Sequence, residues 1–539
     1  MKKLSLLTPL FLLFMVVLTA WKLGGSPGSH HIPATGDNEP DSMEKAMDIL
    51  PQILAINSKE GYQPPKEFRK GVVTPATIDN YLTKTENGYC IKLPSNTNIP
   101  TPAVVNGTLY LSGGFGSRQY YAFDAETGKN KWAINLDDDG PSSPAIEDDI
   151  VVFNTESCTI FACDMVTGKH LWSYFLGDPL MSMPTIANGI VFTAYPASYN
   201  GGGEGNMLPA KNLPAKVNGN PKAATNTVQK KKDEVPAIYP SHVLIALDLK
   251  TGKILWQKWI DSDIMSAPVA KNDLLYVTTF SGALYKVKQK TGEIIEAKAL
   301  RATSAPMFAS GQLVMSRRAD DAQSVGEAVV VGYGRREKAL YKKKAAYLDK
   351  KVQSSSRLKT EAVQADAGNG FSGGAPASAN YHVAYDNIGQ SNVSSLQGFQ
   401  GSRGYYRDGN FFNTMGDEVV STDSTGKVNW KYKLDGDMHT EGGFMGTPPI
   451  YANGYIIVAT LKGEVLVFDE LKGTLLKKYN VKDAIRYQPV ANNGWIYVTT
   501  VNSKLYAINT GDKKITGWNM WGANAGRTNE QKEKKAAQP

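Results

Sequence analysis

The sequence predicts an all-β protein, an eight-bladed β-propeller of four-stranded antiparallel blades. Three observations carry that expectation. A twelve-residue stretch, Tyr121 to Trp132, reads YAFDAETGKNKW, and variants of it recur along most of the chain. Eight segment starts follow one another at intervals of mostly about 40 residues, the length of one propeller blade. The 539 residues include 51 Gly and 10% aromatics, with short Val, Ile, Tyr and Thr runs bounded by turn residues. A chain of that length outgrows one ordinary core unless the core is built by repetition.

Residues 1–22 read as a signal peptide or an N-terminal membrane anchor. Lys2 and Lys3 precede an apolar run from Leu4 to Trp21, which is the pattern of an export signal and barely long enough to span a bilayer if kept. Leu18-Thr19-Ala20 begins like a lipoprotein box, but Trp21 stands where the lipidated Cys belongs, so lipid anchoring is not supported. Residues 23–87 are expected to be a tether and a short helix. The helix falls in Ser42 to Ile56, with Ser42 as N-cap, Met43, Met47, Leu50 and Leu54 on one face, and Pro51 kinking or dividing it. Residues 57 to 87 show no clear period.

The propeller is expected over residues 88–528. Units open at Pro102, Pro144, Pro184, Pro268, Pro306, Pro449 and Pro489, and Gly404 keeps the frame without the Pro. In the first unit the strands are Ala103–Val105, Leu109–Ser112, Tyr120–Asp124 and Lys131–Leu136, each bounded by Gly, Asn or Asp. Two units carry inserts. Residues 198–238 are of low complexity. Residues 335–400 are expected to hold a basic amphipathic helix over Arg335 to Lys351, with Tyr341, Ala345, Leu348 and Val352 on one face, and then a disordered stretch of Ser, Gly, Ala and Asn. Gly88–Leu93, GYCIKL, resembles the fourth strand KWAINL of Lys131–Leu136 and is placed in the last blade, closing the ring. Residues 529–539 are expected to be a disordered tail.

The recurring turn has a mechanical reading. In Asp124–Gly128, Asp164–Gly168 and Asp248–Gly252 the Asp accepts backbone N–H bonds and the Gly supplies positive φ. Trp132, Trp172 and Trp256 stand eight residues after the Asp, where a flat ring fills the gap between blades. Asp423, Gly426 and Trp430 repeat this one residue shorter. No Trp follows at that spacing after Lys288–Gly292, Asp469–Gly473 or Asn509–Gly511.

The pattern quoted as AFDAETGKNKW, ACDMVTGKHLW and ALDLKTGKILW resembles the tryptophan-docking repeat of the quinoprotein-type (PQQ-like) eight-bladed propellers. The resemblance covers roughly residues 88 to 525 apart from the inserts. The segment Trp518–Thr528, WNMWGANAGRT, is similar to one common at the edges of such domains. The family implies two functions. One branch oxidises alcohols or sugars with pyrroloquinoline quinone and calcium; its alcohol-oxidising members carry adjacent Cys, and none are adjacent here. The other is non-catalytic and includes the propeller of the outer-membrane barrel-assembly machinery, the BamB type. The resemblance is nearer the second. An exported protein-binding or assembly scaffold is therefore expected, periplasmic or otherwise extracytoplasmic, with the dehydrogenase as the alternative.

Candidate binding residues lie between blades. Asp138, Asp178 and Asp483 stand six residues before the next opening Pro, and Asp263 five before. Asp437 lies in the longer loop DGDMHTEGG with His439 and Glu441. Ser142, Ser182, Ser266, Ser304 and Thr447 stand two residues before a Pro. Together they would make a negative, hydroxyl-lined channel mouth able to hold a cation or a basic peptide; the alternative is that they cap loops. No catalytic residue, metal site or cofactor is expected in the leading reading, and quinone with calcium in the alternative. Cys90, Cys158 and Cys163 form no CxxC, so zinc and redox-motif readings are weak, and a Cys158–Cys163 disulfide is open. The net charge of +8 collects in Lys211 to Lys232 and Arg335 to Lys359. Envelope proteins or peptides are the expected partners, without nucleic acid, and the chain is expected to be a monomer that touches the membrane through its N-terminus if that segment is kept.

Overall fold

A computed structural model describes residues 46–530 except 60–62, 157–158, 178–182, 198–237, 239, 280, 303, 310–311, 319–323, 333–336, 350–403, 416 and 437–444. Eight antiparallel sheets follow one another in chain order. In the first blade the strands are Ala103–Val105, Thr108–Ser112, Gln119–Asp124 and Asn130–Leu136, within one residue of the expected ones. Each blade runs from a short inner strand to an outer one. The second and third strands are buried on both faces, as Leu109 and Phe123 show on one side and Tyr110 and Ala122 on the other, because the neighbouring blades cover both sides.

The last blade, Val490–Asn492, Trp495–Thr499 and Lys504–Asn509, receives its fourth strand from Gly88–Lys92. Leu505 lies opposite Ile91 and Ala507 opposite Tyr89. The ring is thus closed by the segment whose sequence resembles a fourth strand.

One expectation is corrected. The basic helix over 335–351 is a strand, Lys338–Asp349, paired antiparallel with Ser324–Val331 as the outer strand of the fifth blade. Tyr341 and Ala345 are four apart, which suits either period. The edge of Ser324–Val331 needs a ladder partner, and that need decides between them. The insert of the fifth unit therefore starts only after Asp349.

The described part of 23–87, from residue 46, forms a belt, and the tether expected over Leu23 to Pro40 lies outside the described residues. Met47–Asp48 adds to the outer strand of blade four, with Met47 opposite Ala299. A helix follows over Leu50–Ser58, with Pro51 in its first turn, where a missing N–H costs nothing. The helix buries Ile53 beside Ile49, Trp256 and Ala297, while Leu54 faces solvent. Ser42 lies outside the described residues. Trp259 of blade three donates its N–H to Asn57 Oδ1 at 2.8 Å, and Phe175 of blade two donates to the Arg69 carbonyl at 2.7 Å. Val73–Ala76 then pairs with Ala133–Leu136 of blade one, and Leu82–Thr85 with Gly88–Ile91 of blade eight. The belt satisfies open edge groups on five consecutive blades, which blunts their tendency to pair with other chains.

At the C-terminus, residues 518–530 run along the inner strands, and Trp518, Trp521 and Arg527 are among the most deeply buried large side chains. Asn529 and Glu530, expected in the disordered tail, belong to this ordered segment. The low-complexity insert, the remainder of the second insert and Cys158 lie outside the described residues, apart from Ile238. Cys90 and Cys163 are buried free thiols.

Candidate functional site

The repeated turn is a joint between blades. Asp124 Oδ1 accepts the Thr127 N–H at 2.9 Å and the Thr127 hydroxyl at 2.7 Å, and Gly128 takes φ +70°. Asp164, Asp248 and Asp423 hold the same bonds. The turn threonine hydroxyl, before any other cause, keeps these three carboxyls below their usual range. Across the joint, Trp132 donates its indole N–H to the Met165 carbonyl at 3.1 Å, Trp172 to Leu249 at 2.8 Å, and Trp430 to Glu470 at 3.0 Å. Each acceptor directly follows the turn Asp of the next blade. The ring lies flat on that blade's turn Gly: a Cβ on Gly252 would stand 2.7 Å from the Trp172 ring. Positive φ and ring contact together require Gly there.

Where the Trp is missing, other residues occupy its register. Trp256 still docks on Gln289 at 2.7 Å, although blade four has Lys288 in place of the turn Asp. In blade seven Lys477 stands opposite Val467, as Trp132 stands opposite Ala122, and donates its ammonium to the Thr510 carbonyl at 2.7 Å. In the closing strand Tyr89 stands opposite Ala507 and donates its hydroxyl to the Ala125 carbonyl at 2.6 Å. Blade four carries Glu296 at this register, ion-paired to Lys286 at 3.0 Å. The sequence reading missed Tyr89 and Lys477. The alignment of GYCIKL with KWAINL puts Tyr89 under Trp132 and was the signal for it.

Two of the carboxylates expected at the channel mouth, Asp138 and Asp483, belong to a second set of joints. Asp138 Oδ2 accepts the hydroxyls of Thr155 at 2.7 Å and Thr159 at 2.5 Å, both in the second-to-third-strand hairpin of blade two. Asp483 accepts from Asn502 at 2.8 Å, Lys504 at 2.8 Å and Tyr506 at 3.0 Å in the matching hairpin of blade eight. Burial opposes the Asp483 charge, but Lys504, Asn502 and Tyr506 together hold its carboxyl below the usual range. At the blade three–four junction this role belongs to Asp261, which the sequence reading passed over. It accepts from Tyr285 at 2.8 Å, Thr279 at 3.3 Å and the Ser281 hydroxyl. Burial nevertheless keeps Asp261 above the usual carboxylate range. Asp263, two residues on, accepts the Ile264 N–H at 2.7 Å. Asp178, Asp437, His439 and Glu441 lie outside the described residues.

Three of the loop hydroxyls are committed, whereas Ser266 Oγ is buried without a hydrogen-bond partner and Ser182 lies outside the described residues. Ser142, Ser304 and Thr447 accept the N–H of Asn154, Ser316 and Ala459, at 3.0, 2.9 and 3.1 Å. One acidic group departs from the joint pattern. Glu156 is 5% exposed, its Oε1 has no partner, and it stands where blades seven and eight have Leu461 and Val501. Burial first, then Asp139 and Asp138, pushes it up to about 9, so it is a neutral acid at pH 7.

Quinone with calcium requires several free oxygen ligands and a chamber for the ring system. Among the described residues no group of three or more His, Cys, Asp or Glu is placed to hold a metal. Asp138, Asp261 and Asp483 are engaged across blades, and residues 518–530 fill the inner face.

A family model described as outer membrane protein assembly factor BamB matches residues 85–198, 214–339 and 379–481, well over half of the chain. A comparison with curated proteins finds no match. Among solved structures, BamB from Moraxella catarrhalis is 14% identical, covering 81% of this chain and 97% of its own, with a TM-score of 0.46. A quinohemoprotein alcohol dehydrogenase from Pseudomonas putida HK5 is 13% identical over 78% of this chain and 76% of its own, with a TM-score of 0.47. Sqt1 from Saccharomyces cerevisiae is 10% identical over 79% and 99%, also at 0.47. With the family match and the eight closed blades together, the chain belongs to the PQQ-like β-propeller family of the BamB type.

Proposed function

We propose that this protein is an exported, non-catalytic propeller that binds proteins or peptides as a scaffold in the cell envelope. The observation that carries this reading is the commitment of three loop carboxylates. Asp138, Asp261 and Asp483 hold neighbouring blades together, which leaves binding to the outer surfaces of the ring. Exposed apolar side chains sit at turn tips, Val166 in blade two and Leu471 in blade seven, and mark accessible positions on two parts of the outer surface. The family's description as an outer-membrane assembly factor agrees with a scaffold. The apolar run Leu4 to Trp21 supports export, with cleavage or retention as an anchor. No helix among the described residues is long and apolar enough to cross a membrane.

The test places photo-crosslinkers at positions 166 and 471 in the full-length protein in its native cells. A scaffold gives a discrete adduct with an envelope protein from at least one position. Recovery of the chain in the cytoplasm, with no adduct from either position, would refute the proposal.

A further inference from the structure

The C-terminal segment makes a series of contacts around the ring. At blade eight, Ala491 and Trp518 exchange backbone bonds at 2.7 and 3.1 Å, and Gln488 accepts from the Trp518 indole at 3.2 Å. At blade one, Val104 donates its N–H to the Asn519 carbonyl at 2.7 Å. Ile186 of blade three donates to Ala525 at 3.2 Å, Ala270 of blade four to Gly526 at 3.0 Å, and Phe308 of blade five to Thr528 at 3.2 Å. Asn529 then gives its amide to the Gly404 carbonyl of blade six at 3.2 Å. Successive residues of the segment thus meet successive blades, and the inner strands offer their N–H groups to it as sheet edges do to an added strand.

Arg527 sits at the hub. It is 1% exposed and donates to the carbonyls of Pro184 at 3.0 Å, Trp521 at 3.2 Å and Pro144 at 3.3 Å, and it stacks 4.9 Å from the centroid of the Trp521 ring. Pro144 and Pro184 open blades two and three, so one guanidinium joins both to the segment. Trp518 and Ala523 pack in the apolar cluster shared by blades six, seven and eight. Thirteen residues beyond the last strand of the ring thus reach from blade eight, through blades one to five, to blade six.

We infer that the inner face of the propeller is a peptide-binding site filled in cis. Residues 518–530 are its ligand, and their seating locks the ring. The determinants are a pair of Trp, a turn-rich backbone whose carbonyls accept from five inner strands, and one Arg that reads two Pro carbonyls. The linker at Lys513 and Lys514 is exposed, so the ligand can be cut from the ring after folding.

The test inserts a specific protease site between Lys513 and Lys514 of the full-length chain, cleaves the folded protein, and follows it by gel filtration and thermal melting. The cut protein should keep the fragment that begins at Lys514 at micromolar concentration and melt as the uncut one does. Combined with Arg527→Met, cleavage should release the fragment at least ten times more readily, and the stripped ring should melt lower. A synthetic peptide spanning residues 515–531 should restore the melting temperature. Because the cut follows folding, a folding defect cannot imitate the result. A fragment that leaves at once while the ring melts unchanged would overturn the inference, as would equal retention with Arg527 and with Met.

Discussion

Glu156→Gln should stabilise the protein at neutral pH but not in acid. The folded chain holds the Glu156 proton up to about pH 9, because burial and the neighbouring Asp139 and Asp138 disfavour its charge. The unfolded chain releases that proton near the ordinary value of 4.5. Between these values the unfolded state binds fewer protons than the folded one, so stability falls as pH rises through the window. The contribution is fully present below about 4.5 and lost as pH climbs toward 9. At pH 7 the gap of about 2.5 pH units corresponds to roughly 3 kcal/mol, since one unit is about 1.4 kcal/mol. Gln keeps the shape and cannot ionise. Urea unfolding midpoints of both proteins at pH 4.5, 6, 7 and 8.5 measure the difference. It should be close to zero at pH 4.5 and grow steadily with pH. A difference independent of pH, or a variant weaker than the parent at pH 8.5, would refute the reasoning.

Other consequences concern the joints. Trp172→Ala should cost about 3–5 kcal/mol of unfolding free energy, because it empties a filled gap between blades two and three. Trp172→Phe keeps most of the ring and should lose about 1 kcal/mol with the bond to Leu249; equal losses in denaturant titrations would contradict docking by ring area. Tyr89→Phe should cost about 1 kcal/mol or less, since the Ala125 carbonyl also accepts from Tyr497 at 2.9 Å. A loss above about 3 kcal/mol on urea unfolding would mean that Tyr89 does more than dock.

The blade motif was legible because its parts are local. An Asp, a Gly and a Trp at fixed spacing fix a turn and a docking ring, and copies of a unit betray each other. The closing strand was legible for the same reason, through the likeness of GYCIKL to KWAINL. What stayed hidden depends on remote partners. Met47–Asp48 and Leu82–Thr85 are too short to show a period, and they are strands because the outer edges of blades four and eight are open. Lys338–Asp349 shows a helical spacing, and only the unfilled edge of Ser324–Val331 makes it a strand. Lys477 and Tyr89 differ chemically from Trp yet donate to the same carbonyl position, an equivalence that register reveals and residue type conceals. The acidic loops concealed their inter-blade partners for a related reason. Spacing from the next Pro favoured Asp263, whereas the hydroxyls waiting in the next hairpin select Asp261. An Asp in an inter-blade loop reads the same in sequence whether it faces a ligand or a neighbouring blade.

The central claim is that this member of the family binds rather than catalyses. The most direct measurement titrates the purified full-length protein with pyrroloquinoline quinone in the presence of calcium. Retained quinone absorbance is recorded after gel filtration, together with dye-linked oxidation of a panel of alcohols and sugars. The account predicts no retained quinone and no oxidation above the protein-free blank. Saturable quinone uptake with calcium-dependent turnover would contradict it.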